Sequence, residues 1–171
     1  PVLLFRVFTR PELVAGWFGS SHGFRAHDVS IDLRPGGRWS LRNVNGEITE
    51  HVCGAYHEVV ADRRLCYSYH FRGTEFFSVI SLDMEADGDG TLLHFLQTGF
   101  DTAHSHTEHH RGWGHALDLI ANALLASRGA GTVWEIGSSS RPLSGVAADI
   151  EAARARMDAA RREMDSPQRK G

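Results

Sequence analysis

The chain has 171 residues, with 18 Lys and Arg against 21 Asp and Glu, and therefore a formal net charge of −3. Hydrophobic residues make up 42% and charged residues 23%, which is typical of a globular domain and too apolar for wholesale disorder. The weakly acidic balance argues against general nucleic-acid binding, and no apolar run approaches the ~20 residues of a membrane-spanning helix. We therefore expect one domain with an appendage, and neither nucleic acid nor a membrane as a partner.

Two short helices are predicted at the start of the chain. Apolar residues recur with helical spacing over residues 2–18 and end in Trp17 and Phe18. Pro11 interrupts this pattern, because proline is tolerated only in the first turn of a helix. We expect a break near Thr9-Arg10, with Thr9 as the N-cap of the second helix.

From 27 to 100 the apolar residues alternate with polar ones, which predicts successive strands joined by tight turns. Turn signals fall at 34–38, 61–64 and 87–90, so the strands form hairpins and the sheet is predicted to be antiparallel. The expected cross-strand pairs are Leu33 with Trp39 and Ile31 with Leu41, Glu58 with Tyr67, and Leu82 with His94.

The two cysteines fall in the two strands of the second predicted hairpin. In the expected register Cys53 faces Arg72 and Cys66 faces Val59, which puts the pair far beyond the ~7 Å limit between Cα atoms for a disulfide. Two free thiols are typical of a reducing compartment, and we predict a cytoplasmic protein.

A long amphipathic helix is predicted over 106–127, because Trp113, Leu117, Ile120 and Leu124 form one apolar stripe. An extension over 129–171 follows, with a strand at 132–136, a Ser- and Gly-rich linker at 137–143 and an amphipathic helix at 144–165. The last helix carries a narrow apolar seam, which packs on the domain or on a second copy. A homodimer through this extension or through a sheet edge is therefore a prediction.

The predicted sheet and helix 106–127 enclose a space with an unusually aromatic lining. Aromatic side chains with polar tips suit a pocket that holds a mostly apolar ligand oriented by a few hydrogen bonds. The alternative is that these residues simply fill the core, that a β-bulge turns Glu58 to solvent, and that His94 is a hydrogen-bonded core residue. The predicted ligand-binding residues are Trp17, Trp39, Tyr56, Glu58, Tyr67, Tyr69, Leu82, His94, Trp113 and Leu117.

Five segments in order resemble a known family. FTRPELVAGWFG, DLRPGGRW, GAYHEVVADRRLCYSY, GDGTLLHF and HHRGWGHALDLIANAL are similar to bacterial proteins like the activator of heat-shock-protein-90 ATPase, in the START-like or SRPBCC superfamily. The resemblance covers roughly residues 1–126. It implies an α+β helix-grip fold, in which a curved antiparallel sheet wraps around a long C-terminal helix over a hydrophobic cavity.

Two features depart from the family pattern. The family has a strand before its first helix, and residues 132–136 are expected to fill that edge of the sheet in the same chain or in a partner's. The extension after Gly129 has no counterpart in the pattern. We therefore expect a START-like domain over 1–128, followed by the extension.

Three function classes stay open at this stage, since the superfamily includes ligand binders, enzymes and a co-chaperone domain. The first is a binding protein for a small hydrophobic molecule. The second is a cyclase- or hydrolase-like enzyme that uses Glu58, His94 and tyrosines as acid and base groups. The third is a co-chaperone-type interaction module.

A histidine cluster over 104–110 is the remaining candidate for chemistry. His106 and His110 are four residues apart and could meet one zinc or nickel ion on a helix face. No Cys or HExxH pattern accompanies them, so we expect adventitious nickel binding and predict neither a physiological metal nor a cofactor.

Overall fold

The computed structural model describes residues 1–128. Two helices lie at the start of the chain, and Pro11 is the first residue of the second. α1 spans Val2–Thr9 and α2 spans Pro11–Trp17, so the predicted break is confirmed. The predicted Thr9 cap is wrong, because Thr9 ends α1 and its hydroxyl donates to the Phe5 carbonyl at 2.8 Å. Arg10 takes the N-cap position of α2 instead. A 3₁₀ turn over Ser20–His22 leads into the sheet.

Six antiparallel strands follow in a meander, so that their order in the sheet is their order in the chain. The predicted α+β class, with a curved antiparallel sheet against a C-terminal helix, is confirmed. The strands are β1 (Arg25–Ile31), β2 (Arg38–Asn45), β3 (Ile48–Val60), β4 (Arg64–Phe71), β5 (Phe77–Asp87) and β6 (Gly90–Thr98).

The predicted registers are wrong by one or two residues in three hairpins. Ile31 pairs with Trp39, Cys66 pairs with Glu58, and His94 pairs with Asp83. The second error begins at the turn, because Val60 pairs with Arg64 and not with the expected Leu65, and a β-bulge shifts the pairing by one further residue between Tyr56 and Glu58. A one-residue slip moves a side chain to the other face of the sheet, so these shifts change which predicted residues point inward.

The main hydrophobic core lies between one face of the sheet and the three helices. α3 spans Ala103–Arg128, and its apolar stripe of Leu117, Ile120 and Leu124 is buried against that face. Leu65, Ile80 and Leu82 fill the centre of the concave side and are almost fully buried. No helix among residues 1–128 is long and apolar enough to cross a membrane.

A close approach between β3 and β4 occurs at Gly54. The indole Nε1 of Trp39 donates to the Ser68 carbonyl at 3.1 Å, directly beside this glycine. A β-carbon at position 54 would lie 1.8 Å from the Ser68 carbonyl oxygen and 2.6 Å from that Nε1. Only glycine therefore lets the two strands and the indole meet here.

The two cysteines are not joined in a disulfide, as predicted. Cys53 pairs with His70 rather than with the expected Arg72, and Cys66 pairs with Glu58 rather than with Val59. The predicted extension over 129–171, with its strand at 132–136, linker at 137–143 and helix at 144–165, lies outside the described residues.

Candidate functional site

A cavity of about 290 Å³ lies at one end of the concave side, between α2, the 3₁₀ turn, the adjoining parts of β2, β3 and β4, and α3. This volume is at the lower end of the range for small-molecule pockets, ~300–1,000 Å³. The lining consists of Trp17, Phe18, Gly19, His22, Phe24, Asn43, Glu50, Tyr69, Phe71, Glu108, His109, Gly112, Trp113 and Ala116.

Two tryptophans that are far apart in the sequence meet in one wall of the cavity. Trp17 comes from α2 and Trp113 from α3, and their ring centroids are 5.8 Å apart. The Trp17 indole donates to the Val7 carbonyl at 3.1 Å, and that of Trp113 donates to Gln97 Oε1 at 2.8 Å. Because both indole N–H groups are satisfied by the protein, these rings offer the cavity an apolar surface.

A further part of the lining is an aromatic cluster around His109, one turn before Trp113 on α3. The imidazole stacks on Phe76 at 4.8 Å between centroids and meets the rings of Tyr69 and Phe71 edge to face. Burial lowers the pKa of His109, although a hydrogen bond to the Ser105 carbonyl opposes the shift. A neutral ring donates through Nδ1, which lies 2.9 Å from that carbonyl, and leaves Nε2 as an acceptor.

Three polar side chains from neighbouring strands share the floor of the cavity. Burial raises the pKa of Glu50, and this outweighs the opposing effect of the His22 charge. Burial also raises the pKa of the Tyr69 phenol, and the nearby Glu50 charge adds to that shift. Asn43 is only 4% exposed, and its Oδ1 has no hydrogen-bond partner among the described residues. A buried amide oxygen without a partner indicates a site for a hydrogen-bond donor, from a ligand or a water.

The edge of the cavity carries a charged group of three residues. Glu108 forms an ion pair with Arg111 on the next turn of α3, and its Oε2 lies 3.4 Å from His22 Nε2. Side chains of His22 and Arg111 are well exposed, which places this group where the cavity meets solvent. Glu108 is therefore neutralised by neighbours, unlike Glu50.

The ten residues predicted to bind a ligand divide into three sets. Trp17, Tyr69 and Trp113 line the cavity. A second set belongs to the packed core away from the cavity, because the centre of the concave side is filled by side chains. That second set comprises Trp39, Tyr56, Tyr67, Leu82 and Leu117.

Glu58 and His94 form the third set and face away from the core. The bulge puts Glu58 on the face of Cys66, where Arg64 Nε donates to its carboxylate at 2.8 Å. Arg64 also pairs with Asp83 across the sheet. His94 is exposed beside that same Asp83. The structure therefore places neither residue in the cavity, and the expected pairing of His94 with Leu82 is wrong.

Reasoning from the sequence missed Asn43, Glu50 and His109. Asn43 continues the inward alternation of Trp39 and Leu41, and Glu50 lies two residues before the inward Val52. The two-residue period of the strands could therefore have placed both side chains on the inner face. His109 lies four residues before Trp113 and extends the apolar stripe of α3. The metal-like spacing of its neighbours in the histidine cluster obscured it.

The histidine cluster itself provides no ligand set within the described part of the chain. Rings of His106 and His110 stack 6.2 Å apart, and no group of three or more His, Cys, Asp or Glu side chains in that part of the chain could hold a metal ion.

The chain was compared with protein-family models and with curated proteins. A model of the family described as "Activator of Hsp90 ATPase homolog 1-like protein" matches residues 1–125. A search of curated proteins found no match.

Solved structures similar to the chain come from several organisms. A Chromobacterium violaceum protein is 22% identical, with a TM-score of 0.65 over 72% of this chain and 88% of that one. A Nitrosomonas europaea protein is 23% identical, with a TM-score of 0.61 over 76% and 90%. An Hsp90 activator from Plasmodium falciparum is 19% identical, with a TM-score of 0.55 over 72% and 87%. These likenesses show a shared fold, and the family model shows that the chain belongs to the family of Activator of Hsp90 ATPase homolog 1-like proteins.

Proposed function

We propose that the protein binds a small, mostly apolar molecule in the cavity between the sheet and α3. The observation that carries this proposal is the combination of aromatic walls with the Asn43 amide oxygen, which has no hydrogen-bond partner among the residues that the structure describes. Binding in an apolar cavity of this size is favourable, because a ligand that replaces water along the walls contributes ~25 cal/mol per Å² of apolar surface buried. The polar floor then orients the ligand through a few hydrogen bonds.

A cavity-filling substitution tests the proposal. Ala116 lies on α3 and lines the cavity, so the ring of an Ala116→Phe variant enters the space that a ligand would occupy. The exposed Ala123 on the same helix provides the matched control, Ala123→Phe. Binding of an environment-sensitive apolar dye, read from its fluorescence, should be lost in Ala116→Phe and kept in Ala123→Phe.

Thermal unfolding of both variants shows whether the fold is retained. Equal dye binding by a folded Ala116→Phe variant would contradict the proposal. Mass spectrometry of small molecules extracted from the purified wild-type protein then identifies the natural occupant.

A second candidate function follows from the family. The family is described by its likeness to an activator of the Hsp90 ATPase, and the similar Plasmodium falciparum protein is itself an Hsp90 activator. We therefore consider that this protein contacts a chaperone of the Hsp90 class and raises its ATPase rate. The test measures that rate with and without the protein. No change in rate at a saturating excess of the protein, together with no co-sedimentation, would exclude this function.

A further inference from the structure

One acid in the cavity has no hydrogen-bonded or ion-paired partner within residues 1–128. Glu50 points inward from β3, since it alternates with the buried Val52 and Tyr56. The charge of His22 acts on Glu50 and lowers its pKa, but no hydrogen bond or ion pair engages the Glu50 carboxylate among those residues. By contrast, Glu108 at the edge already has Arg111 and His22. A partly buried carboxylate is stabilised when an opposite charge comes within hydrogen-bond distance.

The other lining groups favour a hydrogen-bond donor or a cation over an anion. No Lys or Arg belongs to the lining of this cavity within the described part of the chain. The neutral His109 ring keeps Nε2 as an acceptor, because Nδ1 faces the Ser105 carbonyl. Tyr69 and Asn43 each bring one group that can accept a hydrogen bond. An anionic ligand would therefore meet Glu50 without any fixed positive charge from the lining to compensate.

The aromatic walls are also suited to positive charge. Trp17, Trp113 and Phe71 present ring surfaces to the same space. The face of an aromatic ring carries negative charge density and attracts an ammonium group within about 6 Å of its centroid. The apolar walls would thus bind the body of a ligand, and the negative ring faces would attract its positively charged end.

We propose that the ligand is a small amine with an apolar, ring-containing body, whose protonated nitrogen pairs with the Glu50 carboxylate. This inference rests on the proposed binding function and specifies its ligand class. Tyr69 and Asn43 flank the ion pair and accept the remaining N–H groups. The body of the amine packs against the wall that Trp17 and Trp113 form together.

Three matched probes test the ligand class by isothermal titration calorimetry at neutral pH. The probes are 2-phenylethylamine, the neutral 2-phenylethanol and the anionic 3-phenylpropanoate, which share one ring and differ in charge. We expect the amine to bind about ten-fold more tightly than the alcohol, because a hydrogen bond to a charged group is stronger than a neutral one. The anion should bind more weakly than the alcohol.

Substitution of Glu50 tests whether its charge causes the preference for the amine. Glu50→Gln keeps the shape of the side chain and removes its charge, so the amine and the alcohol should bind to within about two-fold of each other. Glu47→Gln, at an exposed position beside the β2–β3 turn, controls for the change in net charge and should keep the preference. Wild-type protein offers a second measurement if the variant does not fold. Affinity for the amine should fall as pH drops and Glu50 becomes protonated, whereas affinity for the alcohol should not.

The outcomes separate the two proposals. Equal or tighter binding of the alcohol or the anion by the wild-type protein overturns the amine class and leaves cavity binding intact. A preference for the amine that persists in Glu50→Gln overturns the role of Glu50. Failure of all three probes to bind the wild-type protein refutes both proposals.

Discussion

Replacement of Gly54 by alanine should destabilise the domain strongly. The new β-carbon would lie 1.8 Å from the Ser68 carbonyl oxygen, a backbone atom that cannot move without displacing β4. Overpacking of this kind costs ~1–3 kcal/mol. Displacement also breaks the bond from Trp39 Nε1 to the same carbonyl, and leaving those buried groups unpaired costs a further ~1–3 kcal/mol. The expected loss is therefore about 2–6 kcal/mol, out of a total stability of ~5–15 kcal/mol for a typical domain.

Urea unfolding followed by tryptophan fluorescence measures this loss. With a urea dependence of ~2 kcal/mol per molar, the middle of the usual range, the midpoint should fall by about 1–3 M. Gly114→Ala in α3 is the matched control, because no heavy atom lies within 4 Å of its β-carbon and alanine favours the helix by ~0.5–1 kcal/mol. A Gly54→Ala midpoint within about 0.3 M of wild type would refute the close-approach argument.

Three further predictions concern the cavity. Glu50→Gln should raise the melting temperature above about pH 4.5, because the folded pKa is raised and the ionised, half-buried carboxylate costs stability there. At lower pH the gain should vanish, and a gain that is constant with pH would contradict the assignment. His109→Phe should remove a loss of stability that sets in as pH falls below about 6.5, since burial lowers the folded pKa and protonation disfavours the folded state. A variant that loses stability at low pH as steeply as wild type would contradict this. Trp113→Phe should cost about 1 kcal/mol in urea unfolding through loss of the bond to Gln97, and an unchanged midpoint would show that this bond adds nothing.

Patterns in the sequence predicted the elements but not their exact alignment. Alternation and helical spacing are local properties, so all the strands and α3 could be located from the chain alone. The bulge at His57 depends on packing between strands, and a single extra residue there moved Glu58 from the expected aromatic face to the side of Cys66. The position of the cavity depended on how far the core side chains fill the concave surface, which residue types do not determine. Leu65 and Ile80 fill its centre, so the end beside Glu50 is where space remains.

The meander has a consequence for the order in which the molecule is completed. Each strand pairs with the strand made just before it, so the sheet can assemble progressively from contacts that are close in sequence. The walls of the cavity, however, join residues 17–24 to residues 108–116. During synthesis the sheet can thus be in place before the cavity exists, because the cavity closes only when α3 docks against α2.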